Sequence, residues 1–444
     1  MRIIIAGAGQ VGTHLAKLLS NEAQDIVVVD GDAERLTWLD ANLNLMTLVG
    51  EPTSFATLRE AGAAECDLFI AVTPYESQNI VASSFAKSLG AKRTVARIDS
   101  FDLMREQNRP HLNHIGVDRV IYPEQLAAEE MLSSLERTWI RNWFELNDGQ
   151  IIVAGVKVRG GAPITGMALK DFGFRNRNFH ISAIKRNHTS IIPRGDDRID
   201  EGDILYITTT RDHIEDLPAL AGKTAYKVRR VLIMGASKMA IRLANLGKDY
   251  YKFTIVDNDL AKCRRLPMHC PEAEIIHGDA RDPELLADLG IEDIDGFAAL
   301  TDSSETNILA CLTAKEMGVK KTIANVENIQ FISQAENLNI GTVVNKKLLA
   351  CGSIFQLLLD SDSSTNKCLA LADAEVAEIE VRPGSKVTRH AVKDLGLPST
   401  MTMGGLIRDG RGMLITGTTE LRPGDKVVVF TLAGNLHKVE KLFI

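Results

Sequence analysis

The chain has 444 residues, with 51 Lys and Arg against 58 Asp and Glu, a formal net charge of −7 and 45% hydrophobic residues. That is the profile of an ordinary globular protein of roughly two to four domains. No run approaches the ~18 uninterrupted apolar residues of a membrane-spanning helix, no basic stripe interleaved with aromatics offers a nucleic-acid surface, and the cysteines at 66, 263, 270, 311, 351 and 368 lack CxxC spacing, so disulfides and structural zinc are not expected and a reducing compartment is.

Arg2-Ile-Ile-Ile-Ala6 is a short β-branched run suited to one buried parallel strand. It leaves no basic region ahead of an apolar core, so no signal peptide is expected. Gly7-Ala8-Gly9-Gln10-Val11-Gly12 follows, then helical spacing from Thr13 to Leu19, then Ile26-Val-Val-Val-Asp30. The acid lies 21 residues after Gly9. This order of strand, glycine turn, helix, strand and acid is what a dinucleotide site needs. Gly7 allows the tight turn, Gly9 lets backbone approach a pyrophosphate, and Gly12 lets the helix pack on the sheet. Asp30 would accept the ribose hydroxyls of an adenosine and repel a 2′-phosphate.

Further along, the pattern predicts a helix from Ala33 to Leu43, a strand Leu45 to Val49, the turn Gly50-Glu51-Pro-Thr53 and a helix near Phe55 to Ala61. A fourth buried strand spans Asp67 to Thr73, a helix Asn79 to Leu89, and a fifth strand Thr94 to Ile98. Alternation at this spacing gives a doubly wound parallel sheet. Glu124 to Trp143 reads as a longer helix leaving that domain. Strands at Ile151 to Val158, His180 to Arg186, Thr189 to Pro193 and Asp203 to Thr208, with a turn and short helix from Pro163 to Phe172, make a small α+β unit.

The chain is then written again. Val231 to Gly235 repeats Ile3 to Gly7, Phe253 to Asp257 repeats Ile26 to Asp30, and Gly278-Asp279 falls where Gly50-Glu51 did. Ala299-Leu-Thr301 repeats Ala71-Val-Thr73, and Asn307-Ile308 repeats Asn79-Ile80, at offsets of 227 or 228. Pro423-Gly-Asp425 matches Glu201-Gly-Asp203 at an offset of 222, and both are read as tight turns before a last strand. The second copy is expected to follow the first: strands Val376 to Val381, Thr402 to Arg408, Met413 to Thr416 and Lys426 to Leu432, with a helix near Leu395. Lys223 to Arg230 is the basic joint, and the excess negative charge sits in the first half. The boundaries expected are 1–136 and 223–362 for the two parallel-sheet domains, and 137–222 and 363–444 for the small α+β domains.

Ligands of such sheets lie beyond the carboxyl ends of the strands. That selects Gly7 to Gly12, Asp30, Gly50, Glu51, Thr73, Pro74, Glu76, Asn79 and Arg97. Arg97 could meet phosphate oxygens or be a solvated strand-end arginine. Thr73 and Asn79 could touch ribose or base, or cap a helix. The second loop, Gly235-Ala236-Ser237-Lys238-Met239-Ala240, is degenerate. Ser237 adds a side chain where backbone should approach a pyrophosphate, Lys238 adds charge, Ala240 is tolerable for packing, and Asn325 replaces Arg97. With Asp257, Gly278, Asp279 and Thr301 it forms a second candidate site of weaker or altered binding. No His/Asp or Lys constellation, GxSxG, Walker lysine or HExxH is present, so no catalytic residue is assigned. His180 and His188 read as surface histidines. His269-Cys270 beside Cys263 reads as a loop, and no metal site is expected.

The motifs Gly7 to Gly12, Val28-Val-Asp30, Leu58-Arg-Glu-Ala-Gly62, Ala71-Val-Thr73, Ala96-Arg97-Ile98 and Pro123-Glu-Gln-Leu126, with the duplication, resemble the bacterial TrkA family, cytosolic regulatory subunits of Trk potassium-uptake systems. The resemblance covers the full chain. It implies two RCK units, each a Rossmann-like N-terminal domain followed by a small α+β RCK C-terminal domain, so an α/β fold. It implies binding of NAD(H) and of ATP or ADP, with Gly7 to Val11, Asp30, Thr73, Pro74 and Arg97 as contacts. It implies assembly of a homo-oligomeric ring, tetrameric for tandem units, at the cytoplasmic face of the membrane beneath a TrkH-like potassium-translocating subunit, with no nucleic-acid partner. Glu51, where an aspartate or histidine is frequent, and the second glycine loop depart from the family pattern.

The function this supports is nucleotide-sensing gating, since a ligand that prefers one arrangement of domains shifts that equilibrium without turnover. An RCK-type sensor of another cation transporter or antiporter, and an NAD-dependent oxidoreductase, are the alternatives. The apolar faces of Glu124 to Trp143 (Leu126, Met131, Leu135) and of Asn345 to Leu359 (Leu348, Leu349, Phe355) suit either crossing over a neighbour or packing within their own domain.

Overall fold

The computed structural model describes residues 1–20, 24–146, 149–187, 189–359, 365–371, 374–432 and 435–444; His188 and the expected boundary at 362 lie outside them. In chain order the strands are β1 (Arg2–Ala6), β2 (Asp25–Asp30), β3 (Met46–Val49), β4 (Leu68–Ala71), β5 (Arg93–Arg97) and β6 (Arg119–Ile121). Next come β7 (Asn142–Leu146), β8 (Ile151–Lys157), β9 (His180–Arg186), β10 (Thr189–Ile191) and β11 (Ile204–Thr209). The second copy gives β12 (Arg230–Met234), β13 (Lys252–Asp257), β14 (Glu274–His277), β15 (Gly296–Ala299), β16 (Lys321–Asn325) and β17 (Thr342–Val344). It ends with β18 (Thr365–Leu371), β19 (Ala374–Glu380), β20 (Met401–Arg408), β21 (Arg411–Leu414) and β22 (Lys426–Leu432).

Two compact units result, and each takes like parts from both copies. One comprises Met1–Leu135 with Val228–Phe355, the other Glu136–Lys227 with Gln356–Ile444. The first holds two parallel six-stranded sheets, ordered β3-β2-β1-β4-β5-β6 and β14-β13-β12-β15-β16-β17. This is the doubly wound order whose switch point lies between its first and fourth strands. Both faces of β1 are covered, which is why its run is continuously apolar; Ile3, Ile4 and Ile5 have no exposed surface. The helix Gln10–Ser20 turns Val11, Leu15, Ala16 and Leu19 onto the sheet at helical spacing.

Within this unit the last helix of each copy packs on the other copy. From the first copy, Gln125 in the helix Pro123–Glu136 accepts a hydrogen bond from Arg242 Nε at 2.7 Å. Ser134 Oγ lies 2.7 Å from Thr342 Oγ1. Reciprocally, in the helix Lys346–Leu359, Lys347 Nζ donates to Gln10 Oε1 at 2.6 Å and Cys351 Sγ to the Val11 carbonyl. Of the two placements left open for these helices, these bonds show a crossing, made between the two copies of one chain.

The second unit holds two antiparallel five-stranded sheets with the same order, β10-β9-β11-β8-β7 and β21-β20-β22-β19-β18. One core joins them, with Ile151, Val153 and Tyr206 packed among Val376, Val428 and Phe430. Gly404 is required there, because a Cβ would stand 2.5 Å from Thr208 Oγ1. The two turns read from the duplication are both real: Gly202 and Gly424 have φ of +87° and +88°. Each places a buried aspartate to receive an arginine fork, Asp203 from Arg186 and Asp425 from Arg408.

Three expectations need correction. The helix begun at Pro123 ends at Glu136, and Trp143 belongs to β7, because residues 142–146 pair antiparallel with the next strand in the chain, β8. No α-helix forms near Leu395; the segment is two short 3-10 turns, Lys386–Thr388 and Val392–Asp394. His180 is not a free surface histidine. It is half-buried in β9, its Nε2 has no partner among the described residues, and desolvation lowers its pKa to about 4.

Candidate functional site

In the first cleft each glycine has its own reason. Gly7 has φ of +111° and lies so close to β4 that a Cβ would approach Thr73 N to 3.0 Å. At Gly12 a Cβ would fall 1.8 Å from the Gly7 carbonyl oxygen, so the helix rests on the turn. Nothing stands within 4 Å of a Cβ at Gly9, which faces open space at the helix N-terminus. Asp30, at the carboxyl end of β2, latches the loop: its Oδ2 accepts the Ala8 amide at 2.6 Å and its Oδ1 the Asp32 amide at 2.9 Å. A carboxylate retains further lone pairs for a ligand hydroxyl.

The neighbouring candidates play different parts. Gly50 donates its amide to the Asp30 carbonyl, and Glu51 Oε2 accepts from Gln78. Asn79 is 1% exposed and fully engaged. Its Oδ1 accepts Thr73 N and Oγ1, and its Nδ2 donates to the Thr73 and Arg97 carbonyls, so it clips the ends of β4 and β5 together. Pro74 is exposed beside it. Glu76 Oε2 accepts the Asp99 and Ser100 amides at 2.6 and 2.7 Å and fixes the turn after β5.

The second cleft repeats this frame. Gly235 has φ of +103°, Asp257 accepts the Ala236 and Asp259 amides, and Asn307 clips Thr301 to the Asn325 carbonyl. Gly278 donates to the Asp257 carbonyl, and Asp279 is held by the Arg281 fork, which lowers its pKa. Ser237 differs from Gly9 in what it does: its Oγ caps the helix Lys238–Gly247 by accepting the Ala240 amide at 3.3 Å. Met239 is buried, and Asn325 is buried with Oδ1 unpartnered among the described residues.

A cavity of about 590 Å³ opens over this second loop. Its wall includes Gly235 to Met239, Asp257, Gly278, Asp279 and Thr301, and also Arg97, Asp99 and Glu124 from the first copy. Sequence reasoning grouped Arg97 with the first loop; the residue also lines the second cavity. It also passed over Asp99, Glu124 and Lys346, because contacts between copies leave no trace in spacing. Lys346 Nζ sits 3.1 Å from Glu124 and 3.0 Å from Glu327, and Lys347 lies 3.1 Å from Glu327. Burial raises the Glu327 pKa, but the two ammonium groups outweigh it and hold the carboxyl below its ordinary value. Cys263 and Cys270 donate to the Asp257 and Leu266 carbonyls. Among the described residues no cluster of His, Cys, Asp and Glu could hold a metal, and no helix is long and apolar enough to cross a membrane.

Comparison with known proteins accounts for both halves of the repeat. The TrkA-N domain model matches residues 3–123 and 231–346, and the TrkA-C domain model matches 153–222 and 376–444. The chain is 30% identical over 453 residues to the Trk system potassium uptake protein TrkA of Halomonas elongata, covering 100% of this chain and 98% of the relative. A TrkA homolog from Archaeoglobus fulgidus is 28% identical over the full length of both. Among solved structures, the GsuK RCK domain superposes with a TM-score of 0.61 at 18% identity, covering 100% of this chain and 94% of that one. The GsuK channel bound to NAD gives 0.60 at 17%, covering 100% and 78%.

Proposed function

The chain belongs to the TrkA family, and on that premise we propose that it is the nucleotide-sensing gating subunit of a membrane potassium-uptake system. It binds NAD(H), and ATP or ADP, and couples their binding to rearrangement of its domains at the cytoplasmic face of the membrane. Its partner is a TrkH-like translocating subunit, and the working assembly is a ring of four chains. The reading draws on the names of the full-length relatives and on the ligands of the GsuK structures, one bound to NAD and another to ADP. We read the domains as 1–136, 137–222, 223–362 and 363–444; the first limit is one residue from the break between the compact units.

The observation that carries the binding site is the first loop: Gly7 turned by its positive φ, Gly9 open, and Asp30 latched to the Ala8 amide. A pyrophosphate would lie on Gly9 and the amides from Gln10 to Gly12, where the helix dipole favours an anion. Ribose would meet Asp30, and Gly50, Glu51, Thr73 and Pro74 would flank it. Asn79 positions the strand ends. No catalytic step is assigned, because a sensor works through differential affinity alone. The test is a titration of the purified protein with NADH, NAD and ATP while NADH absorbance is followed. Saturable binding without turnover supports the reading, and steady NADH consumption overturns it.

A further inference from the structure

Each unit joins the two copies by faces that correspond under the repeat, so each seam is quasi-two-fold. In the second unit the shared core takes Val153 with its counterpart Val376, and Tyr206 with its counterpart Val428. In the first, the helices Pro123–Glu136 and Lys346–Leu359 each reach the glycine-loop helix of the other copy. Two like copies could in principle meet in the same way. What decides is the residue that each copy places at the shared positions.

The C-terminal faces differ in bulk. Ser182 and Gly404 are the bulge residues of β9 and β20, and Ser190 and Gly412 hold equivalent places in β10 and β21. A Cβ at Gly404 would stand 2.5 Å from Thr208 Oγ1 and 2.6 Å from Ser182 Oγ, and one at Gly412 would overlap the Gln150 carbonyl oxygen. Two first copies face to face would put Ser182 and Ser190 into those two places. The second overlap is with backbone, so no rotamer change relieves it.

The N-terminal faces differ in charge. β6 and β17 pair in the same register with β5 and β16, which makes Pro123 the counterpart of Lys346 and Glu124 that of Lys347. Gln10 corresponds to Lys238. Across the seam Lys346 Nζ meets Glu124 at 3.1 Å, and Lys347 Nζ meets Gln10 at 2.6 Å. Two first copies would exchange Lys346 for Pro123 and strand Glu124, which is 3% exposed; a buried carboxylate without its partner is costly. Two second copies would set Lys347 against Lys346 and Lys238 against Lys347, like charges at hydrogen-bond range.

We infer that the seams form a pairing code, by which each half of the chain accepts the other half and rejects a second copy of itself. Bulk and a stranded carboxylate oppose first with first; three lysines oppose second with second. Tethering already favours pairing within a chain by raising the effective concentration, but only the residues forbid like pairs between chains. The partner that fits either seam is an unlike half, from the same chain or from another copy of it. Larger assemblies must grow through other faces. The inference is independent of what the clefts bind.

Ser134 Oγ lies 2.7 Å from Thr342 Oγ1 across the seam, so Ser134→Cys with Thr342→Cys in the full chain reports pairing by disulfide formation. Glu124→Lys gives the first copy the charge of its counterpart and should slow that intrachain link about tenfold, as should Lys346→Glu. Combining Glu124→Lys with Lys346→Glu should restore it, which separates lost pairing from lost folding. Co-expression then tests choice of partner. A Lys346→Glu chain bearing Ser134→Cys, with a Glu124→Lys chain bearing Thr342→Cys, should give about tenfold more disulfide-linked dimer than the same cysteines on otherwise wild-type chains. At the other seam, Gly412→Ser supplies the residue of the first copy and should lower the melting temperature by about 3 °C or more. Single reversals that link at the wild-type rate, a combined variant that does not recover, co-expressed chains that give no extra dimer, or an unchanged melting temperature would each overturn the code.

Discussion

Substituting alanine at Gly9 and at Gly12 should separate binding from folding within four residues of one loop. The added Cβ is the same, but its surroundings are opposite. At Gly9 it meets nothing within 4 Å, so Gly9→Ala should melt within about 1 °C of wild type, as substitutions that touch nothing do. At Gly12 it would stand 1.8 Å from the Gly7 carbonyl oxygen, and the helix Gln10–Ser20 must retreat by more than an ångström. Overpacking of this kind costs about 1–3 kcal/mol, at roughly 2–4 °C of melting temperature per kcal/mol for a domain of this size. Ala240 holds the equivalent place in the second copy, so the shift is tolerable and the lower half of that range is expected. NADH affinity should respond the other way round. The methyl at Gly9 occupies the approach of the pyrophosphate and should weaken binding at least tenfold, about 1.4 kcal/mol. Differential scanning fluorimetry and NADH fluorescence titration read the two effects. A Gly9→Ala protein that binds NADH normally, or a Gly12→Ala protein that melts normally, would refute the assignment of separate roles.

Two further expectations concern the seam and the core. Lys346→Met leaves Glu124, 3% exposed, without its ammonium, and breaking a pair this buried should cost about 3 kcal/mol in urea unfolding; a loss under 1 kcal/mol would show the pair to be idle. The same cluster sets an acid limit. The Glu327 carboxyl has a folded pKa below its unfolded one despite the opposing effect of burial, so its stabilisation is present above about pH 4.3 and disappears as pH falls through the folded value. The urea midpoint should fall below that pH, and Glu327→Gln should flatten the limb. Burial also pushes the Cys66 thiol up to about 11 and those of Cys311 and Cys351 to about 12. These three should resist an aromatic disulfide reagent in the native state at pH 7.5 and react on denaturation; fast labelling of any of them in the folded protein would contradict their burial.

The sequence was informative wherever structure is local. Ile3 to Ile5, the three glycines, Asp30 and the turns at Gly202 and Gly424 could be read because each obeys a short-range rule about strands, helix packing or positive φ. Strands β6 and β17, three residues each, are too short to carry a period and passed unnoticed. The helix expected from Glu124 to Trp143 stops at Glu136, and its last expected residues belong to β7, which pairs with the neighbouring strand β8. Asn79 was placed near a ligand for its position, whereas its amide is spent on Thr73 and Arg97. The cavity of the second cleft was least accessible of all, since Arg97 and Ser237 lie 140 residues apart in the chain and only the crossing of the two copies brings them together.

That crossing has an evolutionary side. In a dimer of two identical chains, every substitution appears at both ends of the two-fold seam at once, so a lysine that suits one cleft is imposed on the other. Here the two ends are encoded separately. Lys238 meets Asp99 at one end, while its counterpart Gln10 receives Lys347 at the other. Fusion of the copies thus frees each cleft to mutate alone, and one ancestral pocket used twice can become two pockets with different tastes.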